Sequence, residues 1–216
     1  MVAEFAEENG IPIEAWPQEL IELLDKNPET KDFVLNYPLK KDSYPTINLE
    51  EYKNSGSMPL LLQWDEQWGY NEYAGDLMGL SGCGPTALSM VCIYLLNDVK
   101  YSPKYIADFA EANGYSSPGN GSLWSLIYEG GEQLGLNVTE LPLNEERIIN
   151  NLKAGNPIIC IMGPGDFTDE GHFIVMTGYD DGFVYINDPN SRANSQKAWE
   201  LSSIIGQIKN LWVCSA

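Results

Sequence analysis

The sequence predicts an α+β domain in which a helical half precedes an antiparallel sheet half. Three observations predict it. Apolar residues recur at helical spacing between residues 83 and 155, and beyond 157 the period changes to two. Helices first and strands second favour α+β over the strict alternation that builds a parallel sheet. A hydrophobic fraction of 44% with 6 Trp, 12 Tyr and 6 Phe supplies a core and excludes a disordered chain.

Each element has its own signal. Pro17 opens a helical piece with Leu20, Ile21 and Leu24 on one face, and Asn27-Pro28 ends it. Pro28-Glu29-Thr30 opens a second piece around Phe33 and Val34. Residues 37–45 hold Pro38 and Pro45 and read as an extended linker. Residues 1–57 are too poor in apolar residues for a domain of their own. They form an N-terminal arm laid over a main domain at 58–216.

Within that domain, residues 83–96 are apolar on nearly every side, the mark of a helix buried in the core. Ser102-Pro103 caps a helix ending near Asn113-Gly114, Ser122 starts another ending at Gly135, and Asn144-Glu145-Glu146 starts a third stopping at Gly155. The period-two segments 157–162, 172–179, 182–187 and 209–214 follow as strands. Asp181-Gly182 joins the middle two as a hairpin. No internal repeat or low-complexity run interrupts the pattern.

Composition removes whole classes of function. With 12 Lys+Arg against 31 Asp+Glu the net charge is −19, and no basic cluster exists to neutralise phosphates. Nucleic acid is therefore not an expected partner; if the acidic surface steers anything, it favours basic peptides. No run approaches 18 apolar residues, so no transmembrane segment is expected. The single histidine, His172, excludes paired-His zinc sites, and the four Cys lack a C-x2-C pair. No metal or cofactor is expected.

Four positions stand out. Gly82-Cys83-Gly84-Pro85 places a cysteine at a helix start, where unpaired N–H groups and the helix dipole favour a thiolate. The flanking glycines would leave room for a substrate backbone. His172 heads an apolar strand just after a Gly/Asp-rich loop and is the sole candidate base. It faces a cleft, or it bonds to that loop. Asp188 ends the neighbouring strand, so the hairpin returns it within reach of His172, where a carboxylate would hold the ring's Nδ1–H. The plainer reading is an Asp-Pro turn. Gln63 lies twenty residues before the cysteine. Its amide donates to an oxyanion with the Cys83 N–H, or it satisfies backbone groups.

In this order the residues resemble the C39-like cysteine peptidases, a branch of the papain-like fold. The resemblance rests on QWDEQWGY at 63–70, SGCGPTALSM at 81–90, GHFIVMTGYDDG at 171–182 and INDPNS at 186–191, and it spans about 60–214. It implies a papain-like fold with Cys83 as nucleophile, His172 as general base, Asp188 as orienting carboxylate and Gln63 as oxyanion donor. Asn187 shares the Asp188 role if an amide serves there, as in papain itself. The implied activity is hydrolysis of a peptide or related amide bond by a monomer acting on a peptide or protein substrate. The alternative is a catalytically idle domain that binds a peptide or cell-wall component. With no transporter segment, the chain is not expected to be the peptidase half of an exporter. Similar proteins are often secreted by Gram-positive bacteria or held at the cell envelope. The acidic start at residues 1–8 would then be an end from which a leader was removed.

Overall fold

The structure is a computed structural model and describes residues 1–216. It opens with α1 (Val2–Asn9), α2 (Gln18–Lys26) and α3 (Lys31–Lys40). The sequence reading anticipates α2 and the start of α3 but gives no signal for α1. It also ends α3 too early, because α3 runs through Tyr37 and Pro38 instead of yielding to an extended linker. Proline has no N–H for the Val34 carbonyl one turn back, which would leave a buried acceptor orphaned. The indole Nε1 of Trp16 donates to that carbonyl at 2.7 Å and removes the cost.

A two-stranded ribbon, β1 (Glu72–Tyr73) and β2 (Asp76–Leu77), leads into α4 (Met78–Ser81) and α5 (Cys83–Leu96). Helix α6 (Pro103–Ala112) starts as expected, with Ser102 Oγ accepting from the Tyr105 N–H at 3.2 Å. Ser122 does not start a helix. It belongs to β4 (Gly121–Ser122), paired with β3 (Ser116–Ser117), and the turn that follows is a π-helix at Leu126–Gly130 running into α7 (Gly131–Gln133). The expected stop at Gly135 stands, its φ of +104° being open to glycine.

The remaining elements build the sheet: β5 (Asn137–Glu140), α8 (Glu145–Lys153), β6 (Ile158–Met162), β7 (His172–Asp180), β8 (Phe183–Asn187), α9 (Arg192–Ser195), β9 (Trp199–Glu200), α10 (Leu201–Ile204) and β10 (Ile208–Ser215). Strand order is β5-β10-β6-β7-β8-β9, antiparallel throughout. The helical half does precede the sheet half. Asp181 and Gly182 both have positive φ, 41° and 91°, the type I′ signature of a two-residue hairpin with strand twist.

Both sheet faces are buried, which explains the near-continuous apolar strands. Ile159, Ile161, Phe173 and Val175 pack against Ala87, Leu88 and Val91 of α5. Residues of opposite parity, Ile158, Cys160, Ile174 and Met176, pack against Ile148 and Leu152 of α8. A third cluster joins the arm to the segment before α4, with Trp16, Leu20, Phe33 and Val34 against Leu62, Trp64 and Tyr70. No helix is long and apolar enough to cross a membrane.

Candidate active site

Cys83 is the first residue of α5, and Gly82 before it offers no side-chain cap. The two flanking glycines are required, though not to admit a substrate backbone. A Cβ on Gly82 would lie 2.5 Å from the Met78 carbonyl oxygen, and one on Gly84 would collide with the Ser122 hydroxyl. The chain's own atoms fill the space those glycines leave. Cys83 keeps part of its surface exposed, whereas Cys92, Cys160 and Cys214 are buried.

The β7–β8 register brings the histidine and the carboxylate together. Val175 pairs with Asn187 and Met176 with Ile186, so Asp188 continues beside Ile174 on the same face as His172. His172 Nε2 lies 2.6 Å from Asp188 Oδ1, with both residues buried. The ring nitrogen on the carboxylate is therefore Nε2, not the expected Nδ1, which is left to face Cys83. Asp188 Oδ1 also accepts from the Asn190 N–H at 2.8 Å, and Oδ2 from Asn194 Nδ2 at 2.9 Å. The Asp188 N–H donates to Ser195 Oγ at 2.8 Å.

These contacts move three protonation equilibria towards their charged forms. Burial alone would raise the Cys83 pKa. The hydrogen bond and charge of His172, helped by the Phe173 and Gly84 N–H groups, overcome it and hold the thiol below its ordinary value. Burial likewise would lower His172, but Asp188, and then Cys83, raise it to about 10. Asp188 is pulled down against its own burial by His172, Asn194 and the Asn190 N–H. Each shift favours the charged form: thiolate, imidazolium and carboxylate. The other cysteines behave oppositely: burial pushes Cys92 and Cys160 up, and Cys214 up to about 12.

Asn187 points elsewhere, its Nδ2 donating to Pro59 O at 2.8 Å. Gln63 also departs from expectation. Its Nε2 donates to Gly79 O at 2.9 Å and Leu80 O at 3.2 Å, so both amide hydrogens already bind the turn before Cys83. As placed, it has none for an oxyanion, and the backbone-satisfying alternative describes it.

A cleft of about 400 Å³ opens over Cys83, lined by Ser81, Ser122, Trp124, Glu170 and Phe173 among others. An adjoining hollow of about 710 Å³ shares Glu170 and Gly171 and includes Asp188 and Asn194. The aromatic residues of the cleft wall are Trp124 and Phe173, whereas Trp64, Trp68, Tyr70 and Tyr73 are buried in the core. Sequence reasoning missed Ser122 and Asn194. Ser122 had a signal in the Gly119-Asn120-Gly121 bend beside it, whereas nothing local marks Asn194.

A model described as the Peptidase_C39 like family matches residues 57–214. Among solved structures, the chain is similar to the peptidase domain of Streptococcus ComA, a bifunctional ABC transporter involved in quorum sensing. The two share 18% identity at a TM-score of 0.49, over 62% of this chain and 91% of that one. It is also similar to a C39-like peptidase structure from Bacillus anthracis, with 18% identity, TM-score 0.47, and 75% and 96% coverage. A double-glycine-motif protease from an AMS/PCAT transporter, solved with its leader peptide, gives 18%, 0.47, 74% and 94%. No curated protein matches the sequence.

Proposed function

The chain belongs to the Peptidase_C39 like family, and from that premise we propose that it is a working cysteine peptidase that hydrolyses a peptide or related amide bond. The observation that carries the reading is the alignment of Asp188, His172 and Cys83, joined through the 2.6 Å Nε2···Oδ1 contact and the lowered thiol. An idle binding domain would not need a buried carboxylate holding an imidazolium beside the one cysteine that a cleft exposes.

Cys83 Sγ attacks the carbonyl carbon, and the π electrons move to oxygen. As the tetrahedral species collapses, the C–N bond breaks and His172 gives its proton to the leaving nitrogen. A thioester remains. His172 then takes a proton from water, the hydroxide adds to the thioester carbonyl, and the C–S bond breaks to release the acid and restore the thiolate. Asp188 keeps the ring oriented and supports its positive charge throughout.

The oxyanion is met by backbone N–H groups in the first turn of α5 and by the Ser122 hydroxyl. Tyr73 supports the Ser122 role. Its phenol oxygen is buried 2.7 Å from Ser122 Oγ, and with the phenol as donor in that bond the Ser122 proton is left for the cleft. The test is exposure of wild type and Cys83→Ala to a diverse peptide library, read by mass spectrometry. Cleavage by the wild type alone supports the reading; peptide retention without cleavage by both proteins rejects it.

A further inference from the structure

We propose that Glu29, in the arm and outside the segment matched by the family, is a positioning residue for the Asp188 carboxylate; this rests on the peptidase reading above. Glu29 Oε1 accepts from Ser191 Oγ at 2.8 Å and from the Ala193 N–H at 3.2 Å, and Oε2 accepts from the Arg192 N–H at 3.0 Å. Those donors form the entrance of α9, a helix of four residues. A helix so short is not stable alone, and its first N–H groups need acceptors from outside. A carboxylate suits that place twice, by accepting the bonds and by opposing the dipole's positive end.

The reason this matters to chemistry is what α9 holds. Asn194 within it donates to Asp188 Oδ2, and Ser195 Oγ accepts the Asp188 N–H. The same Ser195 hydroxyl donates to Ser191 O at 2.8 Å, and the Ser191 N–H returns to Asp188 O at 3.2 Å. Residues 188–195 thus form a closed ring with the carboxylate on one side and Glu29 on the other. Asn27 fastens the same ring, its Nδ2 reaching Asn190 O at 2.6 Å. From Glu29 the connection runs through α9 to Asp188, to His172 and to Cys83. The arm does not enter the cleft over Cys83. It completes the catalytic carboxylate's support from behind.

The test compares Glu29→Ala with Leu20→Ala in the full chain. Leu20 is fully buried in the cluster that joins the arm to the segment before α4, so its loss loosens the arm without removing a bond to the ring. Two readings follow, both well below the unfolding temperature: the NMR titration of the imidazole, unambiguous because the chain has one histidine, and the iodoacetamide rate of Cys83 at pH 7. Glu29→Ala should move the His172 midpoint down towards 6.5 and slow alkylation about tenfold to a hundredfold, the scale of a misplaced catalytic group. Glu29→Gln, which keeps one oxygen for Ser191 and Ala193, should recover part of both. Leu20→Ala should lower Tm and leave both at wild-type values. If Glu29→Ala lowers Tm but leaves both readings unchanged, or if Leu20→Ala shifts them equally, the positioning role is overturned. Should Glu29→Ala not fold, Glu29→Gln and Asn194→Ala decide on the same readings: wild-type values in both overturn it. A wild type whose Cys83 alkylates no faster than its other cysteines sinks the peptidase reading instead, while the imidazole titration still reports on Glu29.

Discussion

Gln63 donates its backbone N–H to Pro189 O at 2.8 Å, one residue beyond Asp188, while its side chain grips Gly79 O and Leu80 O ahead of Cys83. A single residue therefore ties the turn that delivers the sulfur to the strand end that delivers the carboxylate. Removing the side chain takes away both of its bonds to those carbonyls.

Gln63→Ala should accordingly destabilise the protein, by about 1–3 kcal/mol for the two lost hydrogen bonds, in urea unfolding. Its residual chemistry should not show the signature of a lost oxyanion donor. Acylation by p-nitrophenyl acetate and alkylation by iodoacetamide should fall by the same factor. A selective loss of acylation would return Gln63 to the oxyanion role.

Ser122→Ala should show that signature. Acylation passes through an oxyanion and alkylation does not, so acylation should fall on the order of 10²-fold while alkylation stays near wild type. Tyr73→Phe, which removes the hydroxyl 2.7 Å from Ser122 Oγ, should fall in the same direction and less far. Equal rates in all three proteins would reduce Ser122 to a cleft wall.

The pH dependence follows from the shifts. Because the Cys83 pKa lies below its ordinary value, iodoacetamide should label Cys83 at pH 6–7 well ahead of Cys92, Cys160 and Cys214. Alkylation should lose its rate as pH falls through the lowered thiol value. Hydrolysis has a second limit. His172 must carry a proton for the leaving nitrogen, so turnover should also decline as pH rises through about 10. A peptidase profile with no alkaline limb would contradict the imidazolium assignment.

Asp188→Asn should lower the His172 titration towards the ordinary 6.5, because the carboxylate does more than Cys83 to raise it. Turnover should drop severely. The same carboxylate, held below its unfolded pKa of 3.8, contributes stability at neutral pH that is lost as pH falls through its folded value. The mutant's unfolding free energy should show less of that acid dependence. Asn187→Ala, whose amide reaches Pro59 instead of His172, should keep most of its activity.

Gly79→Ala tests the arm's grip on the turn before Cys83. A Cβ there would run into the Phe33 ring, itself buried. Destabilisation of about 1–3 kcal/mol is expected from overpacking. Phe33→Leu in the same chain should recover part of it, a non-additivity measurable as a double-mutant cycle.

What the sequence determined by itself is local or periodic. The buried helix at 83–96, the strands after 157 and the Asp181-Gly182 turn could be read because apolar spacing and turn chemistry act between neighbours in the chain. Cys83, His172 and Asp188 were legible for the same reason: each sits at the end of an element whose type was plain, and two-residue strand periodicity returns Asp188 to His172. Tertiary structure decided the rest. Pro38 stays inside a helix because Trp16, twenty-two residues earlier, satisfies the Val34 carbonyl. Ser122 is held by Tyr73 and β3, Gln63 by the carbonyls of Gly79 and Leu80, and the Asp188 ring by Glu29, more than 160 residues away in sequence. A hydrogen-bond acceptor does not record in the sequence which donor will reach it. That pairing exists only after the helices and strands have packed, and here it settles which nitrogen of His172 meets the carboxylate and which residue steadies it.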